Sequence, residues 1–189
     1  HGLGDLRVMA GLALREKAEF TLLLNIGGVV PSGKSDLETP DGDPLPMIYQ
    51  PSQGSAGFMA GAIASYRLWS LAAGYQNHLS ANDNGFTRSA WPDPGKVAGY
   101  PDSPGLWCGD DILLRLQKSF VTLKAHYFVS AIGIYRLNED MITGDEGPAP
   151  VDGTFGLSIN LAAGLEARMG KAGFFRIQAA IPLLMKDSY

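Results

Sequence analysis

The chain has a single cysteine, Cys108, so it can form no intrachain disulfide framework and no cysteine-rich metal site. Charge of one sign is also lacking. Against 19 Asp+Glu stand 15 Lys+Arg, a net charge of −4, which leaves no global basic field for nucleic acid. No run of ~18 uncharged apolar residues occurs, so no transmembrane helix is required. The nearest stretch, 58–75, is interrupted by Arg67. The start, His1-Gly2, has neither a basic n-region nor an apolar h-region, and is expected to be a mature N-terminus or the start of a fragment.

What the chain does have is strict two-residue alternation. Phe175, Ile177, Ala179, Ile181 and Leu183 alternate with Phe174, Arg176, Gln178, Ala180 and Pro182. Leu157, Ile159, Leu161, Ala163, Leu165, Ala167 and Met169 alternate with Ser158, Asn160, Ala162, Gly164, Glu166 and Arg168. Successive strand side chains point to opposite faces, so period two gives each strand one oily and one polar face.

The pattern predicts about eight long strands in hairpins. They cover 3–14, 19–30, 57–68, 69–79, a pair from near Asp110 to near Leu137, and a last pair turning at Gly170-Lys171. The first turn is expected at Arg15-Glu16-Lys17. The fifth and sixth strands join somewhere in 119–125, where no Gly, Pro or Asn marks the turn. Long loops at 31–54, 81–109 and 138–153 alternate with the short turns. Residues 1–189 form one domain.

Short turns at one end and long loops at the other suit an all-β, antiparallel up-and-down transmembrane barrel. Lipid offers no hydrogen bonds, so such a sheet must close. Tyr66, Trp69, Tyr127 and Phe175 lie near the short turns, where an interfacial aromatic girdle belongs. A soluble sandwich or lipocalin-like barrel also alternates, but there large residues dominate the oily face. Here that face mixes Ala and Gly with Leu.

The polar row expected to face a lumen is Arg7, Glu19, Asn25, Arg67, Gln76, Arg115, Gln117, Asn160, Glu166, Arg168, Arg176 and Gln178. Charged rows of this kind set solute selectivity in pores. They also form salt bridges that fill a small barrel, with Glu19 and Glu166 available to the arginines. No catalytic set stands out. Asn77, His78 and Ser80 are close in sequence, but alternation sends Asn77 to the other face. His126 reads as a strand-end polar residue. Asp36, Glu38, Asp41 and Asp43 surround Gly42, but without the spacing and closing Glu of a calcium loop. Pro31-Ser32-Gly33-Lys34 lacks the flanking pattern of a phosphate loop. Cys108 beside Trp107 reads as a buried loop thiol. No cofactor, no metal site and no enzyme activity is expected.

Several segments resemble the bacterial outer-membrane transporter family named for the meta-pathway of phenol degradation. They are Gly2-Leu3-Gly4-Asp5-Leu6, Val30-Pro31-Ser32-Gly33-Lys34, Gln50-Pro51-Ser52-Gln53-Gly54 and Tyr135-Arg136-Leu137-Asn138-Glu139-Asp140, spread over most of the chain. The resemblance implies a bacterial outer-membrane barrel that passively admits small, hydrophobic molecules. It also implies more strands than are visible here. The Gly-x-Gly-Asp opening and the final Ile181-Pro182-Leu183-Leu184 resemble internal segments of such chains, so the sequence is expected to be a fragment. The expected partners are outer-membrane lipid and a small solute. The alternatives are a non-conducting barrel with a filled lumen whose loops bind a surface partner, and a soluble β-barrel binding protein.

Overall fold

The computed structural model describes residues 2–144, 147–169 and 173–186. The fold is all-β and antiparallel. Eight long strands lie in one up-and-down sheet: β1 (Leu6–Lys17), β2 (Phe20–Val30), β3 (Gly57–Tyr66), β4 (Trp69–His78), β5 (Asp111–Val121), β6 (Ala125–Arg136), β9 (Gly156–Met169) and β10 (Gly173–Leu184). A separate hairpin, β7 (Asp140–Gly144) and β8 (Gly147–Val151), sits in the third long loop. The segment 138–153, expected as a loop, thus carries two short strands.

Alternation places most of the oily residues on one face. Through the registers, Leu12, Leu24, Ala62, Ala73, Leu114, Gly133 and Ile159 form one row across seven strands. Thr21, Ser65, Ser70, Gln117, Ser130, Ala162 and Ala180 form a row on the opposite face.

The boundaries shift where charge obscured the strand. β1 continues through Arg15, Glu16 and Lys17, which pair with Leu22, Thr21 and Phe20. The turn is at 18–19, because backbone pairing needs no apolar side chain at a wet sheet end. A register shift between Ala13 and Arg15 breaks the alternation at Leu14. Residues 3–5, expected in the first strand, run outside it. They are tied to the first long loop: Ser32 Oγ donates to Gly4 O at 3.0 Å, and Asp5 accepts from Ser52 and from Gln53 N. The β3–β4 turn is residues 67–68, with Arg67 at φ 53°. The unmarked β5–β6 turn is held by Thr122, whose Oγ1 donates to Ala125 O at 3.0 Å and accepts from Ala125 N at 3.1 Å. The turn expected at Gly170-Lys171 lies outside the described residues.

Among the described residues the sheet is open. β1 pairs only with β2, and β10 only with β9. Both edge strands are exposed along their length.

Most of the buried residues lie in the long loops, and Val29, His78 and Ser130 are buried on the sheet. Phe86 is fully buried, and Val97, Cys108, Val151, Asn82, Asn84, Ser103 and Thr154 are also buried. The oily face of the sheet is left uncovered: Leu114 is 53% exposed and Val129 50%.

Candidate functional site

The polar face of the sheet carries most of the expected row. Arg7, Asn25, Gln76, Arg115, Gln117, Asn160, Glu166, Arg176 and Gln178 all fall on it by register, and the backbone of Arg168 pairs with Phe174. Glu19 and Arg67 do not lie on strands. They occupy two neighbouring turns, where Arg67 Nε donates to Glu19 at 3.2 Å and Arg67 N donates to Glu19 O at 2.9 Å. Both side chains are more than half exposed, so their pairing contributes little.

The row is spread along the strands and does not form a single ring. Arg7 pairs with Val29 near the long loops, whereas Arg176 pairs with Glu166 near the short turns. Two groups come together. At the short-turn end, Arg176 Nε donates to Glu166 at 2.9 Å. At mid-sheet, Arg115 Nη2 donates to Gln117 Oε1 at 2.5 Å, and Gln117 Nε2 donates to Ser119 Oγ at 3.2 Å.

The mid-sheet group borders a cavity of about 320 Å³ on the polar face, lined by Arg115, Phe128, Ile132, Ala162, Gln178 and Ala180 among others. Phe128 explains part of its shape. Its ring lies over Gly164, where any β-carbon would clash with it. The Arg115 guanidinium stands 5.7 Å from the centre of that ring. Phe128 and Ile132 were not among the expected site residues. The signal for them was alternation itself, which puts two bulky apolar residues of β6 on the polar face.

A second ionic group locks the long-loop end. Arg136 donates to both oxygens of Asp111 at 2.9 Å and to both oxygens of Asp140 at 2.7 and 2.8 Å. All three side chains are mostly buried. Asp140 Oδ1 also accepts from Gly109 N at 2.8 Å, and Thr154 Oγ1 accepts from Asp140 N at 2.8 Å. Cys108 is buried beside this group and accepts from Gln53 Nε2 at 2.7 Å. Burial, reinforced by Asp140, pushes its thiol up to about 11. Burial and the Arg136 charge hold the Lys186 ammonium below its usual value.

In the loops, Asn84 organises the core. Its Nδ2 donates to Ser35 O at 2.9 Å and Leu45 O at 3.1 Å. Its Oδ1 accepts from Phe86 N at 2.9 Å and Ser103 Oγ at 2.8 Å. Burial alone would raise the Asp102 carboxyl, but hydrogen bonds from the Arg88 side chain and backbone outweigh it and hold it low.

The other expectations resolve locally. His78 is buried, with Nε2 3.1 Å from Gln76 Nε2 and Nδ1 3.4 Å from Gly109 O. Ser80 Oγ accepts from Ala56 N, and Asn77 Nδ2 donates to Asp110 at 2.6 Å, so the three residues form no relay. In the acidic loop Asp43 N donates to Thr39 Oγ1 at 3.1 Å, a local turn contact. Among the described residues no three His, Cys, Asp or Glu converge as metal ligands.

Compared with known proteins, the chain matches no family model and no curated protein sequence.

Proposed function

We propose that the sheet is the wall of a bacterial outer-membrane barrel that passes small molecules passively, the polar face lining the conduit. The observation that carries this is the layout of the exposed oily face. Phe20, Tyr66, Trp69, Phe120, Tyr127 and Phe175 lie toward the short turns. Phe58, Tyr75, Tyr135 and Phe155 lie toward the long loops, Tyr135 and Phe155 with ring centres 5.5 Å apart. Between them lie only aliphatic and small residues such as Leu22, Leu24, Leu71, Ala73, Leu114, Leu116, Ala131 and Gly133.

From Trp69 to Tyr75 the chain rises ~20 Å, close to the apolar band of such barrels (~25 Å). Aromatic rings at both borders of an oily band match the two lipid–water interfaces. A soluble sheet this oily would be covered, because exposed apolar patches beyond a few hundred Å² mark interaction surfaces. Lys118 Nζ lies 4.6 Å from the Trp69 ring centre, at the height where a cation meets lipid headgroups. Insertion requires that the outer edges of β1 and β10 gain pairing partners, since lipid supplies none.

The test is single-channel conductance of the refolded protein in a planar bilayer, with Arg115→Ala and Arg176→Ala alongside. Steady conductance with altered ion selectivity in the variants supports the reading. An inserted but silent protein overturns transport and supports a filled lumen with loops free for a partner. A folded product that stays soluble without detergent overturns the membrane reading.

A further inference from the structure

We propose that the cavity beside Arg115 is a binding site for a small monocarboxylate with a short apolar body. The inference rests on the reading that the polar face lines a solvent-accessible conduit. It starts from the pairing of charges. Asp111 is taken by Arg136, Glu166 by Arg176 and Glu19 by Arg67. Among the described residues no carboxylate pairs with Arg115. Its cross-strand neighbours in the sheet are Ala72 and Ile132, which offer no acceptor.

The Nε of Arg115 is covered by protein and has no hydrogen-bond partner. Ser130, one row nearer the short turns on the same face and 5% exposed, has a hydroxyl in the same state. These two atoms are sealed from the cavity, and the donors of Arg115 that a ligand can reach are at its Nη1 end, which makes no hydrogen bond among the described residues. A guanidinium whose Nη1–Nη2 end is open presents the parallel donors that a carboxylate accepts two at a time. Nη2, already bonded to Gln117, keeps its second hydrogen for that purpose.

The rest of the cavity selects the ligand body. Phe128, Ile132, Ala162 and Ala180 are apolar, and Gln178 adds one amide. The Phe128 ring is fixed against Gly164, so that wall is preformed. A doubly charged anion would find one cation and an oily wall. A single carboxylate on a short chain satisfies both parts.

The experiment is isothermal calorimetry on the protein refolded in detergent micelles, with hexanoate, its neutral isostere hexanamide, and acetate as probes. Hexanoate is expected to bind at least ten-fold more tightly than either of the others. Arg115→Gln is expected to lose at least ten-fold in hexanoate affinity, Phe128→Leu several-fold, and Lys96→Gln, in an exposed loop away from the sheet, nothing. Folding of each variant is checked by β-sheet circular dichroism. Equal binding of hexanoate and hexanamide by the unaltered protein overturns the proposal, as does full hexanoate affinity in a folded Arg115→Gln. Acetate binding as tightly as hexanoate overturns the apolar wall. The readout needs no conductance. A silent protein that discriminates the probes keeps the site and loses the transport reading, and a conducting protein that ignores them does the reverse.

Discussion

The carboxylate of Asp140 and the guanidinium of Arg136 meet at 2.7 and 2.8 Å, across the point where β6 leaves the sheet. The same guanidinium grips Asp111 on β5. One arginine thus fastens two strands to the third long loop, and Asp140 carries the tie on to Gly109 in the second. Removing Asp140 leaves Arg136 paired with Asp111 but takes away the acceptor of the Gly109 N–H and of one guanidinium nitrogen, which costs about 1–3 kcal/mol. Asp140→Ala is expected to loosen the long loops by about that amount while the sheet persists. Limited proteolysis checks it: cleavage within 81–109 should accelerate sharply, with β-sheet circular dichroism unchanged.

Cys108 gives a pH-dependent prediction. Its thiol is pushed up to about 11 from an ordinary value near 9.0. At pH 8 the folded thiolate fraction is then lower by about two orders of magnitude than in the unfolded chain, and only the thiolate reacts. Maleimide labelling of the folded protein should be at least ~100-fold slower than in denaturant. The sign for stability follows from proton binding. The folded state holds its proton more tightly, so the contribution is full below pH ~9 and is lost as pH rises through about 11. Cys108→Ser should flatten the stability profile in that window. An unchanged profile in Cys108→Ser refutes the assignment.

Asn84 holds four partners in a buried loop core. Asn84→Ala strands the Ser35 carbonyl, the Phe86 amide and the Ser103 hydroxyl, while Leu45 O keeps Gln50 Nε2 at 2.9 Å; each unsatisfied group costs about 1–3 kcal/mol. The loss should exceed about 3 kcal/mol and fall on the loops. Hydrogen exchange reads it out: protection at Phe86 and Ser103 N–H should collapse, and protection in β3–β5 should remain.

Leu114 lies in the middle of the exposed oily band, and Leu113 faces the opposite side. If that band meets lipid, an arginine at its centre costs about 2–4 kcal/mol. Leu114→Arg is therefore expected to lower the urea-unfolding free energy in bilayers by that amount, and Leu113→Arg by less. The reverse order would show that the oily face is packed against protein.

The sequence by itself determined the eight long strands and their faces. The pleat sends alternate residues to opposite sides, so Leu157 to Leu165 and Ile177 to Ile181 declare their face from neighbours two apart. It also determined which connections are short and which are long. Strand ends were less legible, because Arg15, Glu16 and Lys17 pair through their backbones and their charge says nothing about that.

Only the tertiary structure decided where the core lies. Asn84 reaches Ser35 across 49 positions and Gln53 reaches Cys108 across 55. Hydrogen bonds at that range leave no periodic trace in a loop rich in Pro, Gly and Asp. The same holds for the arginines. Alternation put Arg115 and Arg176 on one face, but strand register gave Arg176 its carboxylate, gave Arg136 that of Asp111, and left Arg115 beside Ala72 and Ile132. Pairing is set by which residues stand opposite across a ladder, and that follows from how the strands meet, not from any one strand's pattern.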